Sequence, residues 1–310
     1  MRQKTALLIV ALCPLLTVYG ASSAEVQVAE EPVIPHVGSV PDVMEDGLIN
    51  IPENSEIEDA VPVGSSLTGR EIFEHFADNE MHSAVQHQRV VSTDPGGSKQ
   101  TTRFWVRWKD FRDEDDKSVD GVFAKGIVKF SEPLDLRGTG FLLIINDGRD
   151  PDQFVYQPSS RRVRRVNLRD VGLAGTDVTF GDVAVNNLDQ ADYARLADSE
   201  IEGVPVYVVE VTVKPFVDVD YRTSIAYIEK EHYIPLRQLY KDENGVLIRE
   251  SAAVPSSLRQ FDGIWIATET TTTNVRKNTS TTTTIEKLEA NPELSDALFS
   301  TFRLGLKRDL

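Results

Sequence analysis

Apolar and polar residues alternate along much of the chain with the two-residue period of a β-strand. In the segment 102–110, Phe104, Val106 and Trp108 form an apolar face opposite a basic one, broken only by Trp105. The segment 206–213 repeats this pattern, whereas 140–146, "GFLLIIN", is apolar on both faces. These segments predict strands that bury one or both faces in a core.

Tight turns join the predicted strands. A Pro-Gly-Gly turn follows Asp94, Glu202-Gly203 separates two apolar runs, and Asn244-Gly245 is a strong hairpin signal. Strands joined by such turns are antiparallel. Further strands are predicted at about 119–130, 140–145, 153–157, 162–167, 223–229, 261–273 and 279–289, and the Thr-rich segments 268–273 and 279–284 should form a hairpin. The sequence therefore predicts one long antiparallel sheet.

Two segments carry helical signals. Ile72, Phe73 and Phe76 share one helical stripe opposite charged residues, which predicts an amphipathic helix at the start of the folded domain. The segment 181–196 predicts one or two short helices. Because a sheet of ten or more strands curls, its apolar inner face becomes concave. Such a face must be filled by its own side chains, plugged by a helix or occupied by a ligand, and packed interiors are the rule.

Charge separates the chain into regions. The 310 residues carry a formal net charge of −16 at pH 7, which argues against a nucleic-acid-binding surface because that needs clustered Lys and Arg. Residues 25–65 contain no Lys or Arg, many carboxylates and several prolines. This composition predicts an extended acidic arm, a spacer rather than a docking segment. The folded domain is then expected at 66–310.

The first 24 residues have the pattern of a secretory signal peptide. Two basic residues precede an apolar run from Ala6 to about Val18, and small residues occupy Ser22 and Ala24 before the expected cut. The run is shorter than a membrane span, and Leu12 stands where a lipoprotein signal needs a small residue before Cys13. We therefore expect an exported protein without a stable membrane anchor or disulfides, which fits a bacterial periplasm.

No motif in the sequence marks a catalytic or metal site. The five histidines form neither H-E-x-x-H nor H-x-H, and there is no G-x-S-x-G elbow or dinucleotide fingerprint. The carboxylate-rich segments 113–116 and 147–152 lack EF-hand spacing and are expected to be solvated turns. We expect a protein that is not an enzyme and needs no cofactor or metal; an enzyme acting on cell-envelope lipid or glycan is the weaker alternative.

Residues 138–183, "GTGFLLII…DQFVYQPSSRRVRRVNLRD…AGTDVTFGDV", resemble the LolA-like family of outer-membrane lipoprotein-sorting proteins, in the branch that often accompanies RND-type exporters. The shared pattern is an apolar strand, an aromatic strand ending in Tyr156-Gln157-Pro158, a turn, and a strand with Val163-Arg164-Arg165. Gly175-Thr176-Asp177 follows, with an aromatic and an acidic residue after it. A looser likeness extends over 66–310.

This resemblance implies a mainly β, α+β fold: an incomplete antiparallel β-barrel with helices covering its concave face. It also implies a periplasmic carrier or chaperone that binds lipoprotein acyl chains or free lipid, for transfer toward the outer membrane or to or from an RND-type exporter. A lipid- or lipoprotein-sensing regulator on the same scaffold is the alternative. On this fold, the ligand cavity is predicted to be lined by Phe104, Val106, Trp108, Phe141, Leu143, Ile145, Phe154, Tyr156, Tyr207, Val209 and Val211.

Five arginines lie within nine positions after the aromatic strand, namely Arg161, Arg162, Arg164, Arg165 and Arg169. The turn at 157–160 predicts a hairpin in which Arg162 and Arg164 share one face and Arg165 takes the other. Their stems could cover the sheet while their heads pair with carboxylates, or they could ring the cavity mouth and bind a phosphate headgroup or an acidic partner. We expect the first role for Arg161 and Arg162, and the resemblance favours headgroup or partner contact for Arg164 and Arg165.

Overall fold

The computed structural model describes residues 67–115, 117–166, 188–217 and 219–306. The predicted signal peptide 1–24, the predicted acidic arm 25–65 and Arg169 lie outside these residues. Within the described part of the chain, no helix is long and apolar enough to cross a membrane.

Helix α1 (Gly69–Asp78) begins the described fold, as the apolar stripe predicts. Thr68 caps its amino terminus: its hydroxyl accepts a hydrogen bond from Glu71 N at 3.2 Å, and the Glu71 carboxylate accepts one from Thr68 N at 2.7 Å. This reciprocal capping box satisfies backbone donors that the first helical turn would otherwise leave unpaired. Ile72, Phe73 and Phe76 are buried on one side of the helix. A four-residue helix, α2 (Thr301–Leu304), lies near the carboxyl terminus.

Most of the described residues form strands. The strands are β1 (Ser83–Thr93), β2 (Lys99–Asp110), β3 (Val122–Glu132), β4 (Gly140–Asn146), β5 (Asp152–Gln157), β6 (Arg162–Val166), β7 (Ala191–Arg195), β8 (Ser199–Ile201), β9 (Val204–Val213), β10 (Thr223–Glu229), β11 (Pro235–Lys241), β12 (Leu247–Ala253), β13 (Leu258–Phe261), β14 (Ile264–Ala267), β15 (Glu269–Asn274) and β16 (Thr279–Ala290). One-turn 3-10 helices lie at Leu188–Gln190, Pro255–Ser257 and Asp296–Leu298.

The main sheet is antiparallel and open. Its strands follow the order β6-β5-β4-β3-β2-β1-β16-β15-β12-β11-β10-β9-β7, with β8 beside β9, while β13 and β14 form a separate hairpin. Strand β1 pairs with β16, so the two halves of the chain meet in the middle of the sheet. Among the described residues the end strands β6 and β7 do not pair with each other. The architecture is a mainly β, incomplete barrel, as predicted.

The two faces of the sheet follow from the register. Val155, Phe141, Val128 and Val106 are successive partners across β5, β4, β3 and β2 and share one face. The same face continues through β1 and the remaining strands to Val209 of β9. We call it the inner face, because α1 and the β13–β14 hairpin pack on it. The opposite, outer face is covered at β3 to β5 by the segment 294–306.

The structure corrects two predicted elements. Residues 181–187 lie outside the described ranges, but the rest of the predicted helical segment 181–196 is a 3-10 turn and the edge strand β7. Tyr193 there pairs with Val211 of β9, because tertiary pairing overrides weak local helical signals. The strand predicted at 261–273 is three strands, since Asp262 and Gly263 both adopt positive φ, 50° and 83°, and form a tight turn.

The cover of the inner face also differs from the expectation. Helix α1 lies over β7 and β9, but the second covering element is the β13–β14 hairpin. Helix α2 packs on the outer face, where Leu304 is fully buried beside Ile127 and Leu142. Helices therefore cover the concave face only in part.

Candidate ligand-binding face

One half of the inner face is an apolar cluster on β1 to β5. Phe104, Phe130 and Phe141 pack in sequence, with ring centroids 5.4 Å apart in a tilted pair and then 6.2 Å apart in an edge-to-face pair. Leu136, from the β3–β4 connection, folds onto these rings. We call this set the β2–β5 cluster; its buried members are Val90, Phe104, Val106, Val128, Phe130, Leu136, Phe141 and Val155.

The other half of the inner face is an apolar cluster beneath α1. Phe73 packs against Tyr193 with ring centroids 4.7 Å apart, and Ile72 is completely buried. We call this set the α1 cluster; its buried members are Ile72, Phe73, Phe76, Leu188, Ala191, Tyr207, Val209, Val211, Ala226 and Ile228. The helix supplies three of these side chains, so moving α1 would expose apolar surface on both partners.

Helix α1 approaches the sheet most closely at its amino end. A Cβ atom on Gly69 would lie 3.0 Å from both Tyr193 O and Val209 Cγ1, so glycine permits this approach. Arg195 Nη1 donates to Leu67 O at 2.9 Å and ties the residue before the helix to β7. Arg70 forms an ion pair with Asp189 at 2.8 Å.

A charged network lies at the same end of the α1 cluster. The carboxylate of Asp198 pairs with both Arg195 and Lys230. Burial alone would raise the pKa of Asp198, but the hydrogen bonds from Lys230 and Arg195 outweigh it and hold the pKa below its usual value. Both cations lie over the Tyr207 ring, Arg195 at 4.5 Å and Lys230 at 5.0 Å. The network keeps Tyr207 and the helix start in place.

The second covering element, the β13–β14 hairpin, packs over the apolar residues at one end of β1 to β4. Ile266 of β14 is buried against Trp108, Ala84 and Ile145. The hairpin and α1 together form what we call the cover.

The two parts of the cover are joined by one side chain. Asn79, the residue after α1, donates from Nδ2 to Trp265 O at 2.6 Å and accepts from Trp265 N at 2.9 Å. The amide thus pairs with the hairpin backbone as another strand would. The His232 ring packs on Trp265 at 3.9 Å between centroids. Because of this joint, α1 and the hairpin are linked directly as well as through the sheet.

The structure divides the eleven predicted cavity residues. Nine lie on the inner face: Phe104, Val106 and Phe141 in the β2–β5 cluster, Trp108, Leu143 and Ile145 beneath the hairpin, and Tyr207, Val209 and Val211 beneath α1. Phe154 and Tyr156 are on the outer face instead, where they pack with the carboxyl-terminal segment.

Register explains why these two aromatic residues lie outside. Val155, between them, is the direct partner of Phe141 and takes the inner position in β5. Strand β4 is apolar on both faces, which is a signal that the outer face is also covered. That signal was available in the sequence, but it could not assign β5 to either face.

The inner face is packed in this conformation. Eight of the nine inner-face residues are less than 9% exposed, and Leu143 is partly buried. A cavity beside Gln238, Ser251 and Thr270 has a volume of about 30 Å³. This is room for about one water molecule, whereas ligand pockets commonly measure about 300–1,000 Å³. Side chains and the cover therefore fill the inner face.

The arginines are distributed around the exposed edge strand β6. Arg161 occupies the β5–β6 turn with φ of 52°, and Arg165 on the outer face pairs with Asp152. Hydrogen bonding from Arg149, aided by the charge of Arg165, lowers the pKa of Asp152. Arg162 and Arg164 lie on the inner-face side, exposed, with Arg164 opposite Val155. Charged residues on an edge strand also discourage pairing with a second sheet.

Carboxylates in the two acidic turns are hydrogen-bonded within the protein. Asp113 Oδ1 accepts from the backbone N of Asp115 and of Lys117, each at 2.9 Å, and these bonds, that from Lys117 most strongly, lower its pKa. Asp152 accepts from Arg149 and Arg165. Among the residues that the structure describes, no group of three or more His, Cys, Asp or Glu side chains could hold a metal ion.

A family model described as that of an uncharacterised protein matches residues 124–305, more than half of the chain. The chain belongs to this uncharacterised family. A second model, DUF1329, a family of proteins of unknown function, matches residues 60–170. No curated protein matches the chain.

Three solved structures show which fold the chain shares. A DUF1329 family protein from Desulfovibrio piger is 23% identical, with a TM-score of 0.68 over 76% of this chain and 97% of that one. A protein from Vibrio parahaemolyticus, named as an outer membrane lipoprotein-sorting protein domain, is 21% identical, with a TM-score of 0.65 over 77% and 98%. A LolA superfamily protein from Nitrosomonas europaea is 18% identical, with a TM-score of 0.55 over 76% and 98%. The LolA-like resemblance is confirmed, and at these identities the likeness establishes the fold.

Proposed function

We propose that the protein is a periplasmic carrier that binds hydrophobic cargo on the inner face of its sheet, and not an enzyme. The observation that carries this proposal is the cover: α1 buries the α1 cluster and the β13–β14 hairpin buries the apolar residues at one end of β1 to β4, yet neither is a strand of the main sheet. The cover can move while the backbone ladder of the sheet stays intact. The LolA-like fold supports this assignment.

Exchange of the cover for cargo is energetically balanced. Burying one methylene is worth about 0.8 kcal/mol, so ten methylenes of an acyl chain contribute about 8 kcal/mol. The three apolar side chains that α1 buries are together worth about 5–9 kcal/mol on the same scale. An acyl chain can therefore replace α1 on the sheet at little net cost, apart from the loss of its own freedom.

The proposal also specifies the cargo, the location of the protein and the destination of the cargo. The cargo is the acyl chain of a lipoprotein or of a free lipid, and the pattern of residues 1–24 supports export to the periplasm. Delivery is toward the outer membrane or to or from an RND-type exporter.

A disulfide that locks α1 to the sheet tests the proposal. The mature chain is expected to have no cysteine, so a Gly69→Cys, Val209→Cys pair would form a single defined bond; a Cβ on Gly69 would lie 3.0 Å from Val209 Cγ1, close enough for a bond between the two sulfur atoms. Binding of a fluorescent long-chain fatty acid should be lost in the oxidised variant and restored by reduction. The reduced form is the control for any strain that the substitutions introduce.

Two outcomes would contradict this function. Equal binding by the oxidised and reduced variants would show that α1 does not move for cargo. No binding of the fatty acid by the wild-type protein, together with purified protein that carries no lipid in native mass spectra, would refute a carrier of hydrophobic cargo.

A further inference from the structure

Exposed apolar side chains gather at one end of the main sheet. Because neighbouring strands are antiparallel, six strand connections lie at the same end, which we call the turn end: 94–98, 133–139, 158–161, 214–222, 242–246 and 275–278. Among the residues that the structure describes, four of the seven exposed large apolar side chains lie there, namely Leu134, Phe216, Val246 and Val275. Single exposed apolar residues are ordinary, whereas a group of them at one end indicates an interaction surface.

Three of these side chains occupy neighbouring connections. Tyr221 of the β9–β10 connection packs on Tyr240 of β11 with ring centroids 4.9 Å apart. An ion pair between Asp242 and Arg276 joins the β11–β12 turn to the β15–β16 turn. We call the exposed side chains of these three connections the apolar tips; they are Phe216, Val246 and Val275, which are 73%, 54% and 48% exposed.

The backbone beneath the apolar tips is held in place. Val217, the neighbour of Phe216, is buried in an apolar cluster with residues of β9, β11 and β12. Asp242 Oδ1 accepts a hydrogen bond from Val246 N at 3.0 Å, and Val275 N donates to the backbone of β12 at 3.0 Å. The tips are therefore ordered before they meet a partner, which lowers the entropic cost of binding through them.

Formal charge differs between the two ends of the sheet. The six connections at the turn end contain six carboxylates and six basic residues. The five connections at the opposite end, 111–121, 147–151, 196–203, 230–234 and 254–268, contain twelve carboxylates and five basic residues. Bacterial phospholipid surfaces that contain acidic lipids are negatively charged, and they repel the opposite end more strongly than the turn end.

We propose that the apolar tips insert into the surface of an anionic phospholipid bilayer, so that the turn end is the face by which the protein docks reversibly on a membrane. Isolated apolar side chains next to charged ones match the interfacial region of a bilayer. A peptide partner would instead need a groove or a free strand edge, and the closed turns at 242–246 and 275–278 offer neither. This docking face goes beyond the proposed carrier function.

Flotation with vesicles of phosphatidylethanolamine and phosphatidylglycerol tests the proposal. The wild-type protein should float with the vesicles. The variant Phe216→Ser, Val246→Ser, Val275→Ser should have a partition constant lower by about tenfold or more, because it removes the apolar surface that the bilayer buries. Since all three side chains are exposed, the melting temperature of this variant should match that of the wild type.

The chain offers a matched control of the same residue types. Phe302, Val119 and Val254 are 74%, 45% and 38% exposed; the first lies on α2, and the two valines lie at the opposite end of the sheet. The variant Phe302→Ser, Val119→Ser, Val254→Ser should float like the wild type. Equal losses of flotation in the two triple variants would overturn the proposal, because they would show a response to overall surface hydrophobicity.

A fluorescent label reports directly which end faces the bilayer. An environment-sensitive dye on Phe216→Cys should shift its emission to shorter wavelength when vesicles are added, whereas the same dye on Val119→Cys should not. No flotation of the wild-type protein, unchanged flotation of the tip variant, or equal shifts at both positions would overturn the docking face. Binding of the fluorescent fatty acid should be the same in the tip variant and the wild type, so failure of docking and failure of the carrier function are distinguishable.

Discussion

The joint between α1 and the hairpin should control how often the cover opens. Asn79→Ala removes the two hydrogen bonds to Trp265, at 2.6 and 2.9 Å, and leaves the strands of the main sheet untouched. A partly buried hydrogen bond contributes about 0.5–1.5 kcal/mol, so the loss of two should destabilise the closed cover by about 1–3 kcal/mol. Because 1.4 kcal/mol is a factor of ten, the open population should rise about 5- to 150-fold.

Hydrogen exchange followed by mass spectrometry measures this population directly. Backbone amides of α1 and of β14 should exchange faster in Asn79→Ala by the same factor, while amides of β9 and β10 should keep their rates. The proposed carrier function further predicts that the association rate of a fluorescent fatty acid rises in parallel, since cargo would then enter only when the cover is open.

A matched substitution controls for the loss of an asparagine. Asn274 Oδ1 accepts from Lys277 N at 3.0 Å in the β15–β16 turn, away from the cover, so Asn274→Ala should change neither exchange of α1 nor cargo association. Faster exchange across the whole sheet in Asn79→Ala, or unchanged exchange of α1, would refute the reasoning that this joint holds the cover closed.

Three further predictions follow from the described contacts and the sequence. Burial lowers the pKa of Lys129 to about 8, from about 10.4 in an unfolded chain. Between these two pH values the unfolded chain binds more protons than the folded protein, so the stability of the protein should rise with pH. Thermal denaturation of Lys129→Met should not show this rise in stability. Arg165→Ala removes an exposed ion pair with Asp152 and should lower the free energy of unfolding, measured by denaturant titration, by about 1 kcal/mol or less. Unchanged affinity for cargo and partner in the double variant Arg164→Ala, Arg165→Ala would exclude a role of these arginines in headgroup or partner contact. The mature chain of the exported protein should begin near Glu25. An intact mass that includes residues 1–24 would contradict export by cleavage.

Strand positions and the opening helix were predictable because periodicity reports them directly. The stripe of Ile72, Phe73 and Phe76 and the alternation of Phe104, Val106 and Trp108 depend only on local spacing. The burial of both groups is confirmed in the structure. The edge strand β7 and the β13–β14 hairpin were not predicted, because β7 depends on pairing with β9 and the Asp262-Gly263 turn interrupts what looks like one continuous strand.

The faces of the strands were predictable only in part. A shift of one residue in strand register exchanges inner and outer positions, and register depends on partners distant in sequence. Thr272 and Thr271 are indistinguishable in the run 270–273, yet Thr272 is buried on the inner face and Thr271 lies on the outer face. In the same way, Phe154 was predicted to line the cavity, but Val155 takes the inner position in β5. The local sequence shows which residues alternate along a strand, but it does not show which of the two alternating sets faces the core.

The pairing of β1 with β16 has a consequence for how the chain folds. Ala84 lies opposite Ala290, so the middle of the sheet cannot form until nearly the whole domain has been synthesised. Contacts between residues so far apart in sequence slow folding, because a long loop must close before they form. Until β16 arrives, β1 leaves an unpaired backbone edge that can pair with another chain. The nascent protein should therefore need protection from aggregation up to its last strand, and truncation within 279–290 should separate the sheet into two halves that no longer fold as one unit.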